Sequence, residues 1–400
     1  MGRAKEWMME QEARGYSEAD GEICSECVSD TFLAEWIDAN AEATTCTFCG
    51  GEDEEPIAAS FDEFVGVALA GISFEWNHPD NEGIMYASAE GGYQAPVSDI
   101  YDVLSDIEIT ENEDVFDALV DAIEDNGWVE RDFYIGDKSR RLSWGWDSFK
   151  RVTKHQTRYL FLNPKADGQS DFPASQMLGT IARIMAADLE EYEFIKTVST
   201  DADLIRIRIG PEAYIKATEI GSPPEEWAVQ PNRMSPAGVP MFYGAYDVAT
   251  AKAETLDPVA HAGKILSIGT FRPVRDLRVL DIADLPDIPS LFDSERHYLI
   301  HPLRFLHEFA EDIAKPIAHD GREHIEYVPT QIVTEFFRRV FQPTDNSRLD
   351  GLIYRSSRQS GQKALVLFCE NEQCVDLGAE GPPWKAPMLR LDHVAHEGPI

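Results

Sequence analysis

Apolar residues recur at helical spacing in the front half of the chain and at strand spacing in much of the back half. Between residues 61 and 72 the apolar positions share one helical face, formed by Phe61, Phe64, Val65, Ala68, Leu69 and Ile72. Ser60 and Glu63, at the start of this segment, have the spacing of a capping box. Residues 113–127 and 144–155 predict two further helices. The front half is therefore expected to contain a helical domain.

In the back half, the segment LIRIRIG alternates strictly, with Ile205, Ile207 and Ile209 on one side and Arg206 and Arg208 on the other. This alternation predicts a half-buried strand that carries two cations on its open face. The segment MFYGA predicts a short strand. Asp247, two residues after this segment, can cap a helix.

Further along, YVPTQIVTEFF predicts an amphipathic helix that the chain enters through Pro329. The segments DGLIYRSS and ALVLFC predict two strands, joined as a hairpin by RQSGQK. The chain from Gly381 onward is predicted to be irregular. Together these elements predict an α+β fold.

Four of the six cysteines form the pattern C-x2-C-x18-C-x2-C, through Cys24, Cys27, Cys46 and Cys49. Two such knuckles at this separation suit a tetrahedral zinc site. Because four thiolates close the coordination shell, we expect a structural Zn²⁺ that holds a small ribbon together. Cys369 and Cys374 lack metal-ligand spacing and are expected to be ordinary.

These patterns divide the chain into four expected segments. They are a zinc ribbon over residues 1–55, a helical domain over residues 56–165, a mixed α+β domain over residues 180–380 and a tail over residues 381–400.

The composition is strongly acidic, with 72 acidic residues against 35 basic ones and a net charge of −37. Such a charge repels nucleic-acid phosphates and anionic membranes, so we expect neither as a partner. The sequence shows no apolar run of transmembrane length and no apolar core of a leader peptide. With its paired cysteines, the chain is expected in the reducing cytoplasm.

The stretch RMSPAGVPMFYGAYDVATAKAE brings a cation, an aromatic ring and a carboxylate close together, at Arg233, Tyr243 and Glu254. Taken singly, these residues are more typical of a surface cation, a core aromatic and a solvated helix carboxylate. Their combination is what indicates a functional site.

Four phrases resemble the RES domain family, which is named for an arginine, a glutamate and a serine. They are LIRIR, GSPPEEWAVQPNRMSPAGVPMFYGAYDVATAKAE, EYVPTQIVTEFF and DGLIYRSSRQSGQKALVLF, over about residues 200–370. The front half resembles the N-terminal region of HEPN/RES proteins. The resemblance implies an ADP-ribosyltransferase-like fold that destroys NAD, with water or inorganic phosphate as acceptor, as in toxins of toxin–antitoxin pairs.

The resemblance also implies residue roles: catalysis by Arg233, Glu254 and Ser356, and substrate binding by Arg206 and Tyr243. If the register shifts by one residue, Ser357 takes the role of the family serine. Many RES domains have an asparagine just before the last strand, where this chain has Lys363 or its neighbour.

These residue types suit NAD cleavage at the nicotinamide–ribose bond. Nicotinamide leaves as a neutral base from a cationic ring, so a fixed carboxylate such as Glu254 has to stabilise only the ribose oxocarbenium ion or hold the 2′-hydroxyl. Arginines suit the pyrophosphate, and an aromatic face such as Tyr243 suits the pyridinium ring. Ser356 can donate a hydrogen bond that positions the substrate.

Three alternatives stay open at this stage. The same residues could transfer ADP-ribose to a protein side chain. The word HEPN suggests ribonucleases with an R-x4-6-H motif, but the nearest match, from Arg151 to His155, is one spacer residue short. The zinc ribbon and helical region could instead bind a partner, such as an antitoxin, a trigger protein or a second copy of the chain.

Overall fold

The computed structural model describes residues 14–89, 91–124, 127–160, 172–189, 191–257, 259–317, 321–343 and 347–400. These residues separate into two compact units. The first comprises the described part of Met1–Ser139 with Ile288–His301, and the second that of Arg140–Asp287 with Pro302–Ile400. Helices and a mixed sheet are both present, so the predicted α+β class is confirmed. The limits of the four predicted segments remain predictions.

The first unit is mainly helical. Its helices are α1 (Thr31–Ala39), α2 (Phe61–Glu75), α3 (Ile100–Ile107) and α4 (Glu113–Ala122). Short antiparallel pairs join β1 (Glu22–Cys24) to β2 (Ala58–Ser60), β3 (Trp76–Asn77) to β6 (Val129–Glu130), and β4 (Tyr86–Ala87) to β5 (Gly92–Tyr93).

Helix α2 forms the centre of the first unit. The six apolar positions predicted to face inward are all buried, which confirms the helical reading of this segment. The predicted capping box is wrong, because the Ser60 hydroxyl makes no capping hydrogen bond. Ser60 is instead the last residue of β2 and pairs with Glu22, and the N–H of Phe61 donates to the carbonyl of Gly21 at 2.9 Å. Strand pairing thus satisfies part of the helix N-terminus that a cap would serve.

The second unit is built on a nine-stranded mixed sheet, counted over the described residues. Its strands are β7 (Ile195–Val198), β8 (Leu204–Gly210), β9 (Phe242–Ala245), β10 (Ile265–Pro273), β11 (Leu277–Asp281), β12 (Gly351–Arg355), β13 (Lys363–Leu367), β14 (Cys374–Asp376) and β15 (Leu389–Glu397). Its helices include α6 (Met177–Arg183), α7 (Ala217–Ile220), α8 (Val248–Thr255), α10 (Glu323–Glu326) and α11 (Val328–Arg339). Two longer helices, α5 (Lys138–His155) and α9 (His297–Ala314), have most of their residues in this unit.

The strand order is β14-β15-β10-β8-β9-β13-β12-β11-β7, and only the β14–β15 and β11–β12 pairs are parallel. The predicted β12–β13 hairpin is confirmed. Strand β9 lies between β8 and β13, although more than a hundred residues separate β9 from β13 in sequence. This order places β8, β9 and β12, the strands that carry or precede predicted site residues, within four adjacent strands of the sheet.

The prediction of an irregular C-terminal tail is wrong for Leu389–Glu397. These residues form β15, which pairs antiparallel with β10. Leu389 and Leu391 are buried in the core of the second unit, while Arg390 and Asp392 between and beyond them stay partly exposed. The Pro- and Gly-rich segment before this strand hides its period-two pattern in the sequence.

No helix in the described parts of the chain combines the length and the apolar character needed to cross a membrane.

Gly71 of α2 tests the packing of the first unit. A Cβ atom there would lie 2.4 Å from Phe292 Cδ1 and 3.0 Å from the Leu291 carbonyl oxygen. We expect Gly71→Ala to destabilise the protein by about 1–3 kcal/mol, measured by thermal or denaturant unfolding. Gly179 of α6 is the matched control, because a Cβ there meets nothing within 4 Å. Gly179→Ala should be neutral or stabilising by up to about 1 kcal/mol, and equal losses in both variants would contradict the packing account.

Candidate active site and metal centre

A cleft of about 490 Å³ opens in the second unit, within the size range of small-molecule sites. Four of the five predicted site residues line it: Arg206, Arg233, Tyr243 and Glu254. The fifth, Ser356, is buried and is not a lining residue, whereas its neighbour Ser357 does line the cleft. The structure therefore brings together residues that are up to 150 positions apart in the sequence.

Glu254 is placed by helix α8. Asp247 caps this helix as predicted, with its Oδ1 accepting from the N–H of Thr250 at 2.8 Å. The helix ends at Thr255, so Glu254 lies in its last turn. Glu254 Oε1 accepts two hydrogen bonds, from Ser356 Oγ at 2.5 Å and from the N–H of Ser357 at 3.1 Å. Both donors belong to the turn that follows β12, so the carboxylate joins α8 to the β12–β13 hairpin.

Ser356 and Ser357 contribute in different ways. The Ser356 side chain is buried, and its Oγ also accepts from the N–H groups of Arg358 at 3.3 Å and Gln359 at 3.1 Å. Ser356 therefore both fixes the turn and orients the Glu254 carboxylate. Ser357 reaches the same carboxylate through its backbone only.

A second contact secures the same turn. The buried Thr250 side chain donates to Asp247 Oδ2 at 2.6 Å, and the side chain of Gln359 lies 3.2 Å from Thr250 Oγ1. The capped start of α8 is thus linked to the turn that carries Ser356. Sequence reasoning identified Asp247 as a cap but did not identify Gln359.

Arg206 projects from β8 into the cleft. Its Nη1 donates to the Tyr243 carbonyl oxygen at 2.7 Å, and its guanidinium carbon lies 5.9 Å from the centre of the Tyr243 ring. Burial, and then the neighbouring charge of Arg208, lower the pKa of Arg206 to about 9. The side chain remains a cation at neutral pH, and its Nε is buried without a hydrogen-bond partner among the described residues.

Arg233 lies on a loop held from two sides. Its Nη1 donates to the carbonyl oxygens of Ile313 and Lys315, at 2.5 and 2.6 Å, at the C-terminal end of α9. Cations are favourable at this end of a helix. From α11, Thr330 Oγ1 donates to the Arg233 carbonyl oxygen, and Gln331 Nε2 donates to that of Asn232 at 2.8 Å.

The two α11 residues are polar positions on the buried face of an amphipathic helix. Neither residue was among the predicted site residues. The signal that could have indicated them was the polar pair inside the apolar run YVPTQIV.

Two tyrosines face the cleft as neutral groups. The Tyr243 hydroxyl lies 2.9 Å from Ser235 Oγ, and burial raises the pKa of Tyr243 to about 12. Tyr354 of β12 also lines the cleft, and burial together with the nearby Glu254 charge raises the pKa of Tyr354. Sequence reasoning missed Tyr354, although it precedes Ser356 by two positions and therefore belongs to the same strand end.

Arg208 also lines the cleft and was not among the predicted site residues. The strict alternation of LIRIRIG was the signal that could have included it, because it places Arg208 on the same side as Arg206. Lys363, which with its neighbour was compared with the family asparagine, is not a lining residue. It instead forms ion pairs at 3.3 Å with Asp281 and with Asp284.

The four predicted zinc ligands cluster in the first unit. Their sulfur atoms all lie within 4.8 Å of one another, with Cys24–Cys27, Cys24–Cys49 and Cys27–Cys46 separations of 3.7, 3.5 and 3.8 Å. A tetrahedron with Zn–S bonds of about 2.3 Å has edges of about 3.8 Å, so the cluster fits Zn²⁺. Burial raises the pKa of Cys24 to about 11, so metal binding must displace protons and weakens as the pH falls.

Cys369 and Cys374 are buried with their sulfur atoms 3.6 Å apart. Two sulfurs do not make a closed zinc site, and the four-cysteine cluster is the one metal-ligand group found among the described residues.

Chelation tests the metal centre. We expect removal of zinc to lower the midpoint of the thermal unfolding transition of the first unit by more than about 5 °C, because the metal joins the two knuckles. Cys46→Ser should show a similarly lowered midpoint, with or without chelator. Calorimetry with parallel elemental analysis checks this. An unchanged wild-type midpoint at zero zinc content would contradict a structural metal.

Comparison with known families agrees with the geometry. Residues 39–167 match the family described as HEPN/RES N-terminal domain 1, and residues 204–388 match the family described as RES domain. No curated protein and no solved structure shows significant similarity to the chain. The second match spans β8, α8 and the β12–β13 hairpin, which together build the cleft. The chain therefore contains an HEPN/RES N-terminal domain 1 followed by a RES domain.

Proposed function

We propose that the chain is an NAD-degrading enzyme that cleaves the nicotinamide–ribose bond, as a glycohydrolase or a phosphorylase. The RES domain indicates NAD-related enzymatic activity in general. The observation that supports the specific reaction is the Glu254 carboxylate, held by Ser356 and Ser357 in the wall of an arginine-lined cleft.

The carboxylate is suited to stabilise developing positive charge. Both of its hydrogen bonds within the described residues use Oε1, which leaves Oε2 for the ribose. As the bond to the cationic ring breaks, positive charge moves onto the ribose, and a preorganised anion lowers the energy of that state. The leaving nicotinamide is neutral, so no acid is needed to protonate it.

The cations and the aromatic ring account for binding of the rest of the substrate. Within the described residues, the hydrogen bonds of Arg206 and of Arg233 to the protein use Nη1, which leaves Nη2 of each guanidinium. Both can therefore donate to phosphate oxygens. The ring of Tyr243 can stack on the pyridinium, and its hydroxyl is oriented by Ser235.

The acceptor determines which product forms. Water gives ADP-ribose, and inorganic phosphate gives ADP-ribose 1″-phosphate. Glu254 is exposed to solvent, so a protein side chain could also reach the reacting carbon, as in a protein ADP-ribosyltransferase. HEPN-type ribonuclease activity has less support, because the nearest match to an R-x4-6-H motif, from Arg151 to His155, is one spacer residue short.

An enzyme that consumes NAD fits a toxin or defence effector, restrained by an antitoxin or released by a trigger protein. We assign the binding of such a partner, or of a second copy of the chain, to the first unit, which contains the zinc cluster and the helices α1 to α4.

Chromatography of NAD incubated with the purified, zinc-loaded protein tests the proposal. We expect nicotinamide release that falls at least about a hundredfold in Glu254→Gln, because the amide cannot balance the charge on the ribose. Glu212→Gln is the matched control, since Glu212 is exposed and outside the cleft. Runs with and without inorganic phosphate distinguish the two products.

If the wild-type protein releases no nicotinamide, the proposed reaction is wrong. An RNA substrate then tests the ribonuclease alternative. Where nicotinamide is released, labelled NAD shows whether ADP-ribose has moved to protein, because transfer to a side chain expels nicotinamide as well.

Replacement of each serine separates their roles. Ser356→Ala removes a charge-assisted hydrogen bond and should lower kcat about 10- to 100-fold, with a smaller change in KM. Ser357→Ala keeps the backbone donor and should lower kcat less than about threefold, and Ser356→Thr should recover part of the activity. Steady-state kinetics checks all three variants. A larger loss in Ser357→Ala than in Ser356→Ala would contradict the assignment.

A further inference from the structure

Arg208 is a charged residue of the cleft that has no role in the proposed bond cleavage. Arg208 follows Arg206 by two positions on β8, so the two side chains leave the same face of the sheet about 7 Å apart along the strand. Both arginines line the cleft.

The Arg208 side chain makes a single hydrogen bond to the described residues. Its Nη2 donates to the Gly221 carbonyl oxygen at 3.3 Å, and its buried Nε has no hydrogen-bond partner among the described residues. Burial lowers the pKa of Arg208, and no carboxylate of the described chain offsets that effect, although the chain has 72 acidic residues. A partly buried guanidinium without an acidic partner costs free energy, which a bound anion would offset.

The two arginines differ in their position relative to Glu254. Arg206 contacts the backbone of Tyr243, and both Arg206 and Glu254 influence the pKa of the buried Tyr354. The start of β8 lies level with the end of β12 that leads to Ser356, because Ile205 pairs with Ala245 and Ala245 pairs with Ala364, the partner of Tyr354. Arg208 lies two residues farther from that level than Arg206, and it contacts Gly221, the residue directly after α7. Arg206 therefore lies on the side of the carboxylate, and Arg208 lies farther along the cleft.

The segment that follows Gly221 also contributes to the lining of the cleft. Pro223 and Trp227 of this segment line the cleft, and Trp227 is 74% exposed. A large exposed indole at the wall of a cleft offers a flat face on which a base can stack.

We propose that Arg208 binds the adenosine-side phosphate of NAD and that Trp227 stacks on the adenine, so that the cleft selects a dinucleotide over a mononucleotide. This inference rests on NAD being the substrate. From the reacting ribose outward, NAD presents one phosphate, a second phosphate and then adenosine. In this arrangement Arg206 meets the first phosphate, Arg208 meets the second and Trp227 meets the adenine. Nicotinamide mononucleotide ends at the first phosphate, so of these three residues it reaches only Arg206.

Selectivity between the two nucleotides tests the proposal. We expect the ratio of kcat/KM for NAD to kcat/KM for nicotinamide mononucleotide to fall about tenfold or more in Arg208→Gln and in Trp227→Ala, mainly through KM for NAD. Arg206→Gln should lower both values and leave their ratio within about twofold. Arg339→Gln, at the exposed end of α11, is the charge-matched control. A ratio in Arg208→Gln that equals the wild-type ratio would overturn the proposal.

A binding measurement separates this inference from the proposed reaction. If wild-type protein releases nicotinamide from neither nucleotide, the proposed reaction fails, and calorimetric titration with ADP-ribose and with ribose 5-phosphate still tests the subsite. Support would be a Kd for ADP-ribose raised at least about tenfold in Arg208→Gln, with a smaller change for ribose 5-phosphate. Equal changes for both ligands, or no binding of ADP-ribose to the wild-type protein, would refute it.

Discussion

The hydrogen bonds from Ser356 and Ser357 to Glu254 connect the parts of the site that the chain supplies separately. Glu254 comes from the end of a short capped helix, and the serines come from a hairpin turn about a hundred residues later. Neither element is long enough to fix a side chain alone, so the shared carboxylate orients both. The contact between Thr250 and Gln359 supports the same junction from the start of the helix. Loss of this junction would leave the cleft walls in place but the carboxylate free to turn.

The charges in the cleft differ from those of the protein as a whole. In a protein with twice as many acidic as basic residues, arginines normally find carboxylates. Arg206 and Arg208 do not, because their strand lies inside the sheet and their neighbours are backbone carbonyls and aromatic rings. Their unmet donors make the cleft attractive to a phosphorylated ligand, although the rest of the surface repels phosphates.

Sequence patterns reached much of this arrangement. Strict alternation predicted β8 and the Asp247 cap predicted α8, because each depends on neighbouring residues only. The cysteine spacing predicted the four-sulfur cluster, because two close pairs of one residue type form a recognisable pattern even when eighteen residues separate them. The contributions of Gln331, Gln359 and Tyr354 depend on pairing between distant segments, which a local pattern does not encode. The same reason explains the wrong expectation for Ser60 and for the C-terminal strand. In both cases a partner strand, rather than the local sequence, determines which hydrogen bonds form.

The most direct test of the account is to identify which bond of NAD breaks. A nuclear magnetic resonance time course of NAD with the zinc-loaded protein follows the nicotinamide, ribose and phosphorus signals in one sample. The account predicts equal growth of free nicotinamide and of one ADP-ribosyl product whose pyrophosphate remains intact. Cleavage of the pyrophosphate into two mononucleotides would contradict it, as would unchanged NAD in the presence of phosphate and folded, zinc-loaded protein.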